Sequence, residues 1–195
     1  SLDHRLRARF VLETSPTHLL TDAPLDWIHR PAGLPAPAKG AVEPVVDTHP
    51  MSQMGAVDLP DVRFGLGSVG LKEVTLSNNG TLSLTLLRCV EWLSRGDLAS
   101  RPDHAGPALY TPGAQGLGKH RFRYAIGFDS IDEPASALHR LIEPLLHSAA
   151  ALPIASPPQE DIPFLEIEPA AIRLVALKRA EQGEGLFVRL TGPEK

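Results

Sequence analysis

The chain has almost no cysteine. Its 195 residues include a single one, Cys89, which excludes an internal disulfide framework and is typical of a reducing compartment. We therefore predict a cytoplasmic location. Because Cys89 directly follows an apolar strand pattern, we interpret it as a small buried side chain and not as a nucleophile.

Long hydrophobic runs and clustered charge are also missing. No stretch approaches the roughly 18 apolar residues of a membrane-spanning helix, and the N-terminus lacks the charged-then-apolar pattern of a targeting segment. The net charge is -4, and the 14 Arg and 5 Lys are spread along the sequence instead of forming a basic cluster. We predict neither a membrane nor a nucleic acid as a partner.

The hydrophobic content of 43% is enough for a packed core, and we predict one domain over residues 1–195. A strand begins almost at once, because Leu6, Ala8 and Phe10 alternate with three arginines, Arg5, Arg7 and Arg9. Since the chain has no initiating Met, we expect it to be a piece of a longer polypeptide.

The segment from Gly80 to Arg88 carries the strongest strand pattern. Leu82, Leu84 and Leu86 share one parity, and Arg88 falls on the same parity at the end of the strand. The pattern therefore predicts a charge on the buried side. Ser77-Asn-Asn-Gly80 has the chemistry of a tight turn, so 71–76 and 81–88 are predicted to form a hairpin. The same turn explains the Asn79-Gly80-Thr81 sequon.

A second patterned strand runs from Gly118 to Phe128. One parity carries His120 and the aromatic and aliphatic residues Phe122, Tyr124, Ile126 and Phe128, while the other carries Lys119, Arg121 and Arg123. This alternation is typical of a half-buried antiparallel strand.

Proline divides the rest of the chain. Residues 13–50 contain seven prolines and are predicted to be a long ordered connection with short extended pieces. Two strands are expected between 51 and 69, one helix over Glu133–His147 interrupted by Pro144, and further strands at 164–168, 171–178 and 185–191. These elements predict an all-β, large antiparallel sandwich with one helical excursion and long Pro-rich loops.

The chain contains no complete sequence motif of a catalytic or metal site. Gly113-Ala-Gln-Gly-Leu-Gly-Lys119 has phosphate-loop spacing, but His120 replaces the required Ser or Thr and a strand pattern follows where a helix is needed. The eight histidines lack metal-site spacing, and no G-x-S-x-G element is present. Acidic residues, Asp103 among them, are scattered through loops, and none forms an evident glycosidase pair.

Arg88 and His120 have open alternatives. A guanidinium on the leucine parity must reach solvent at the rim of the sheet, pair with a carboxylate or hold a polar ligand. His120 could be a ligand or a sugar contact, although a packing role is more common for such a histidine.

Several segments together resemble one family. They are Gly80–Asp97, His104-Ala-Gly-Pro, Thr111-Pro-Gly-Ala-Gln115, His120-Arg-Phe-Arg-Tyr-Ala125, the opening strand His4–Phe10 and the late hairpin Ile172–Arg189. In this order they are similar to the C-terminal β region of bacterial α-mannosidases of glycoside hydrolase family 38.

The resemblance implies a galactose-mutarotase-like super-sandwich that packs on its own N-terminal catalytic domain. In that family the catalytic Asp nucleophile and the ligands for zinc or another divalent metal lie in the N-terminal domain, which this chain lacks. The resemblance therefore implies no catalytic residue and no cofactor here. It implies that Arg88 reaches the substrate side of a cleft for a mannose-containing saccharide, with His120 and Asp103 as further candidate contacts.

Two other functions remain open. The chain could be an autonomous carbohydrate-binding module that uses Trp27 or Trp92 as a stacking platform. It could also be a purely structural sandwich without any contact to substrate.

Overall fold

The computed structural model describes residues 2–24, 26–41, 45–98, 101, 103–148, 153, 156, 165–169 and 172–192. Within these residues the chain forms strands and one α-helix. The strands are β1 (Arg5–Val11), β2 (His18–Asp22), β3 (Trp27–Pro31), β4 (Thr48–Pro50), β5 (Met54–Asp58), β6 (Arg63–Gly67), β7 (Glu73–Leu76), β8 (Thr81–Arg88), β9 (Ala125–Asp129), β10 (Arg173–Arg179) and β11 (Leu186–Thr191), and the helix is α1 (Leu138–Leu146).

Two antiparallel sheets pack face to face. Sheet A has the strand order β1-β8-β7-β4, and sheet B has the order β3-β2-β5-β6-β9; β10 and β11 form a separate hairpin. The core between the sheets consists of buried side chains from both: Leu19, Met51, Val57, Phe64, Leu66, Val74, Leu76, Leu82 and Leu84. Aliphatic burial on this scale is the main favourable term in folding. The predicted all-β sandwich is confirmed.

Helix α1 forms a third layer on the outer face of sheet B. Leu138, Ile142 and Leu146, which recur every four residues, are buried against Leu20, Met54 and Ala56 of the sheet. The sheet is built from small residues where the helix lies closest. A Cβ at Gly67 would collide with Ile142 Cγ2, and one at Gly65 would lie 2.8 Å from Leu138 Cδ2.

Both predicted hairpins are present. Strands β7 and β8 pair antiparallel, and Gly80 closes their turn at φ 73°, where a Cβ would also collide with the carbonyl oxygen of Thr14. Strands β10 and β11 pair as well. The expected strand at 164–168 is wrong over its described part, because 165–168 have no strand pairing.

The helix is shorter than the predicted Glu133–His147. A 3-10 turn over Ala135–Ala137 precedes it, and α1 runs through Pro144 to Leu146. Pro144 has no N–H to donate to the carbonyl oxygen of Arg140, and the helix ends two residues later at Leu146. In the described part of the chain, no helix has both the length and the hydropathy that crossing a membrane requires.

The Pro-rich region 13–50 contains a core strand that its composition conceals. Strand β2 lies inside sheet B, with Leu19 and Thr21 fully buried, and its neighbour β3 and the later β4 are edge strands. Pro31 and Pro50 end these two edge strands, where the missing N–H does not interrupt the sheet. The predicted short extended pieces are confirmed, but β2 is an integral part of the core.

The prediction for Gly118–Phe128 is correct only at its end. Strand pairing begins at Ala125. Ile126 and Phe128 lie on the core-facing side, opposite Leu66 and Phe64, but at the edge of the sheet they are 44% and 57% exposed. Gly127, on the other face, contacts Ile142 of the helix. The small residues determine the orientation, because only they allow α1 to approach the sheet this closely.

Candidate functional site

Arg88 lies on the outer face of sheet A, and the prediction that it faces the core is wrong. In the β1–β8 pair, Arg7 lies opposite Thr85, whereas its neighbour Leu6 lies opposite Leu87. Leu86 is therefore an extra residue in β8, and Arg88 lies opposite Arg5. Such a β-bulge shifts the register by one residue and moves every following side chain to the other face. The side chain of Arg88 is therefore exposed, beside Arg5.

The charges around Arg88 are unbalanced. Glu73 lies 3.5 Å from the guanidinium of Arg5 and accepts a hydrogen bond of 2.6 Å from the Thr85 hydroxyl. Among the described residues, the side chain of Arg88 has no hydrogen bond or ion pair. Glu73 is thus engaged by two other side chains, which leaves the Arg88 guanidinium available to a ligand.

Two depressions meet at Arg88. One, of about 460 Å³, lies beside β4 and β7 and is lined by His49, Lys72 and Glu73 among others. The other, of about 350 Å³, lies under the segment that follows β8 and includes Trp92 and Arg101 in its lining. Arg88 lines both, so a molecule in either depression would lie near its guanidinium.

A third depression, of about 480 Å³, continues past Trp92 to His104. It shares Trp92, Ser94 and Arg95 with the 350 Å³ depression. Trp92 is 38% exposed, and its ring packs 5.2 Å from that of Tyr110. We call the surface from Arg88 through Trp92 to His104 the rim groove. It combines an exposed aromatic pair with planar polar groups, the usual elements of a saccharide site.

Arg95 and Asp97 form a bidentate pair on the rim groove. Arg95 donates from Nε and Nη2 to the two Asp97 oxygens at 2.8 and 2.7 Å. The hydrogen bond from Arg95 lowers the pKa of the Asp97 carboxyl, and the same bond raises the pKa of Arg95. Asp97 therefore remains ionised and is suited to accepting hydrogen bonds from hydroxyl groups, not to acid catalysis.

Asp3 holds the rim groove in place. Its carboxylate accepts hydrogen bonds from the Glu91 amide at 2.7 Å and from Gln115 Nε2 at 3.0 Å, and it lies 3.7 Å from Arg95. Gln115 is buried, and its Oε1 accepts a hydrogen bond of 3.1 Å from the Asp3 amide. Sequence reasoning missed this contact, because Asp3 and Gln115 are 112 residues apart and neither belongs to a motif.

The other two candidate residues lie beside the groove. His120 is exposed, bonds the carbonyl oxygen of Gly116 and stacks on Phe122 at 6.0 Å. Asp103 is exposed, and its backbone carbonyl accepts a bond of 2.8 Å from Arg101. Neither side chain lines the three depressions, so of the three candidates Arg88, His120 and Asp103 the fold brings only Arg88 to them.

Residues with metal or nucleophile chemistry do not assemble into a centre in the described part of the chain. No three of its His, Cys, Asp and Glu side chains are placed to hold an ion. Cys89 is buried, as predicted, with Sγ 3.6 Å from His4 Nε2. The glycine-rich loop forms a 3-10 turn over Pro112–Gln115 that ends at Gly116 with φ 58°.

Comparison with known proteins gives similarity at the level of structure. No protein-family model and no curated protein matches the chain. Solved structures do, among them a protein of glycosyl hydrolase family 38 from Enterococcus faecalis, at TM-score 0.67 and 22% identity, and an α-mannosidase from Enterococcus faecalis V583, at TM-score 0.69 and 21% identity. Each match covers 97% of this chain but 20% of the other. The similarity establishes a shared fold, and the chain spans about a fifth of the length of these proteins.

Proposed function

We propose that the chain is the C-terminal β-sandwich domain of a larger α-mannosidase-type glycoside hydrolase, that it packs on the catalytic domain and that it is inactive alone. The observation that carries this proposal is the match of nearly the whole chain to one fifth of two much longer glycosidase-type chains. The catalytic nucleophile and the zinc or other divalent metal would then belong to the rest of the enzyme.

Within that enzyme, the rim groove would complete the sugar-binding cleft. Arg88 is exposed at the end of β8 and has no partner of its own among the described residues, so a sugar hydroxyl could accept its hydrogen bonds without breaking an existing pair. Asp97 and Trp92 would supply an acceptor and a stacking face farther along the groove. The ligand would be a mannose-containing saccharide.

Hydrolysis of 4-nitrophenyl α-mannoside tests the proposal. The 195-residue chain should release no nitrophenol with or without added zinc, whereas the longer polypeptide that contains it should do so. Release by the 195-residue chain alone, or none by the longer polypeptide with zinc and with other divalent metals supplied, would contradict the proposal.

An autonomous carbohydrate-binding module is the second candidate function. The exposed Trp92–Tyr110 pair favours it, but Trp27 does not, because its ring packs on buried His139 at 5.6 Å. Calorimetric titration of the 195-residue chain with mannose and mannobiose separates the two functions. Binding at millimolar concentration or tighter, lost in Trp92→Ala, indicates a module, and no heat of binding favours a domain that acts only within the enzyme.

A further inference from the structure

In the part of the chain that the structure describes, one side of the sandwich is open. Strand β1 is an edge of sheet A and β9 is an edge of sheet B, and the two edges lie on the same side, because Phe10 of β1 packs 6.1 Å from Tyr124 beside β9. Phe10 also meets Phe64 at 5.7 Å, and Phe64 meets Phe128 at 5.3 Å. An aromatic cluster therefore lies between the two edges.

The core reaches this opening and ends in solvent. Ile126 pairs with the buried Leu66, and Phe128 with the buried Phe64, so both lie on the core-facing side of sheet B. They are nevertheless 44% and 57% exposed, and Leu6, on the core-facing parity of β1, is 47% exposed. Exposed apolar side chains that continue a core are typical of an interface.

The outer face of β1 presents three arginines in a row. The carboxylate of Glu73 lies 3.5 Å from the guanidinium of Arg5. The side chains of Arg7 and Arg9, in contrast, have no ion pair or hydrogen bond among the described residues. The Nε atom of Arg7 is also buried without a partner. Burying a charged donor in this way is unfavourable unless an acceptor arrives.

Charged edge strands often serve only to prevent aggregation. That role explains exposed arginines, but it explains neither the buried Nε atom of Arg7 nor the exposed aromatic and aliphatic residues beside it. A pairing strand would satisfy both features, since one parity would cover the apolar opening and the other would meet the arginines.

We propose that β1 is an interior strand of a larger sheet, and that its unpaired edge binds a strand in which apolar and acidic residues alternate. The apolar residues cover Leu6 and the Phe10–Tyr124 pair, and the acidic residues pair with Arg7 and Arg9 across the strands. The strand belongs to another segment of the same longer protein. Only this last statement rests on the proposed function.

A second copy of the chain is a poor occupant of the edge. If β1 paired with β1 of a second copy, the arginines of both strands would lie on the same face of the sheet. The three arginines of one copy would then lie opposite arginines of the other. Like charges directly opposite one another destabilise a sheet.

Peptide binding to the 195-residue chain tests the proposal without reference to catalysis. The probes are a fluorescent acetyl-Glu-Val-Glu-Ile-Glu-Val-Glu-amide and its counterpart with Lys in place of Glu. The acidic peptide should bind roughly tenfold more tightly, as two or three opposite-charge pairs predict, and hydrogen exchange should slow in Arg5–Val11. Equal binding of the two peptides, no binding, or slowed exchange elsewhere would overturn the proposal.

Charge reversal sharpens the test. Arg7→Glu/Arg9→Glu should reverse the preference to the lysine peptide, while the matched control Arg140→Glu, a change to an exposed helix residue, should keep the original preference. If the reversed variant does not fold, Arg7→Gln/Arg9→Gln should bind both peptides equally. A preference for the acidic peptide that persists in these variants, or a dimer of the unliganded chain formed through β1, would contradict the proposal.

Discussion

Arg88 lies directly opposite Arg5 across the β1–β8 pair. Of these two arginines, only Arg5 has a carboxylate nearby, that of Glu73. Two like charges at one end of a sheet are unfavourable for stability. A stabilising role therefore does not explain Arg88, whereas binding of a ligand would. Removing Arg88 should then weaken ligand binding without lowering the stability of the fold.

Replacing Arg88 by Ala should therefore reduce catalysis and leave folding intact. In the longer enzyme, loss of one charged hydrogen bond to substrate should remove about 1.5 to 3 kcal/mol of transition-state stabilisation, which lowers kcat/KM roughly 10- to 150-fold. The melting temperature of the 195-residue chain should be unchanged or slightly higher. Arg140→Ala is the control for kinetics, and unchanged kcat/KM in Arg88→Ala would rule out contact with substrate.

Gly67→Ala should destabilise the chain, because the added methyl group meets Ile142 Cγ2 and lies 3.2 Å from Leu146 Cδ1. Overpacking of this kind costs about 1 to 3 kcal/mol, measurable by urea unfolding. Gly70→Ala is the matched control, since a Cβ there meets nothing within 4 Å. Gly67→Ala/Ile142→Ala should lose less stability than the two single changes added together; strict additivity would show that the helix does not lie on Gly67.

Asp22→Ala should be among the most damaging single changes. The buried carboxylate of Asp22 accepts hydrogen bonds from the amides of Gln53, at 2.9 and 3.0 Å, and of Met54, at 2.8 Å. Its removal leaves two amides unsatisfied, at about 1 to 3 kcal/mol each. Thermal unfolding should show a large loss for Asp22→Ala and almost none for exposed Asp61→Ala. A similar small loss in both would contradict this role.

Glu143 should make stability depend on acid pH. Its hydrogen bond with His139, and after it the charges of His139 and Arg173, lower the pKa of the Glu143 carboxyl below 4.5. A lowered folded-state pKa means that the stabilisation is fully present above the ordinary pKa and is lost as pH falls through the lowered value.

The melting-temperature difference between the unchanged chain and Glu143→Gln should therefore shrink as the pH falls through the lowered pKa of the Glu143 carboxyl. Glu13→Gln, at an exposed residue, is the control and should show no such trend. A difference that grows toward acid pH would show that the ionised form is not the stabilising one.

Local patterns were sufficient for much of the fold. The alternation of Leu82 and Leu84 identifies a core-facing strand, Asn-Asn-Gly80 identifies its turn, and Ile142 with Leu146 identifies the helix. Each of these signals depends on neighbouring residues alone, since side-chain period and turn chemistry are properties of a short segment.

Contacts between distant segments determined the site. The sequence alone established the β7–β8 hairpin, the buried stripe of the helix and the presence of an arginine at the end of β8. The direction of that arginine depends on the bulge at Leu86, which exists only in the pairing with β1. Likewise, only the place of β9 at the edge of sheet B leaves its apolar parity exposed, and only the fold brings Asp3 to Gln115. A bulge or a packing face is defined by two segments together, so no pattern within one of them specifies it.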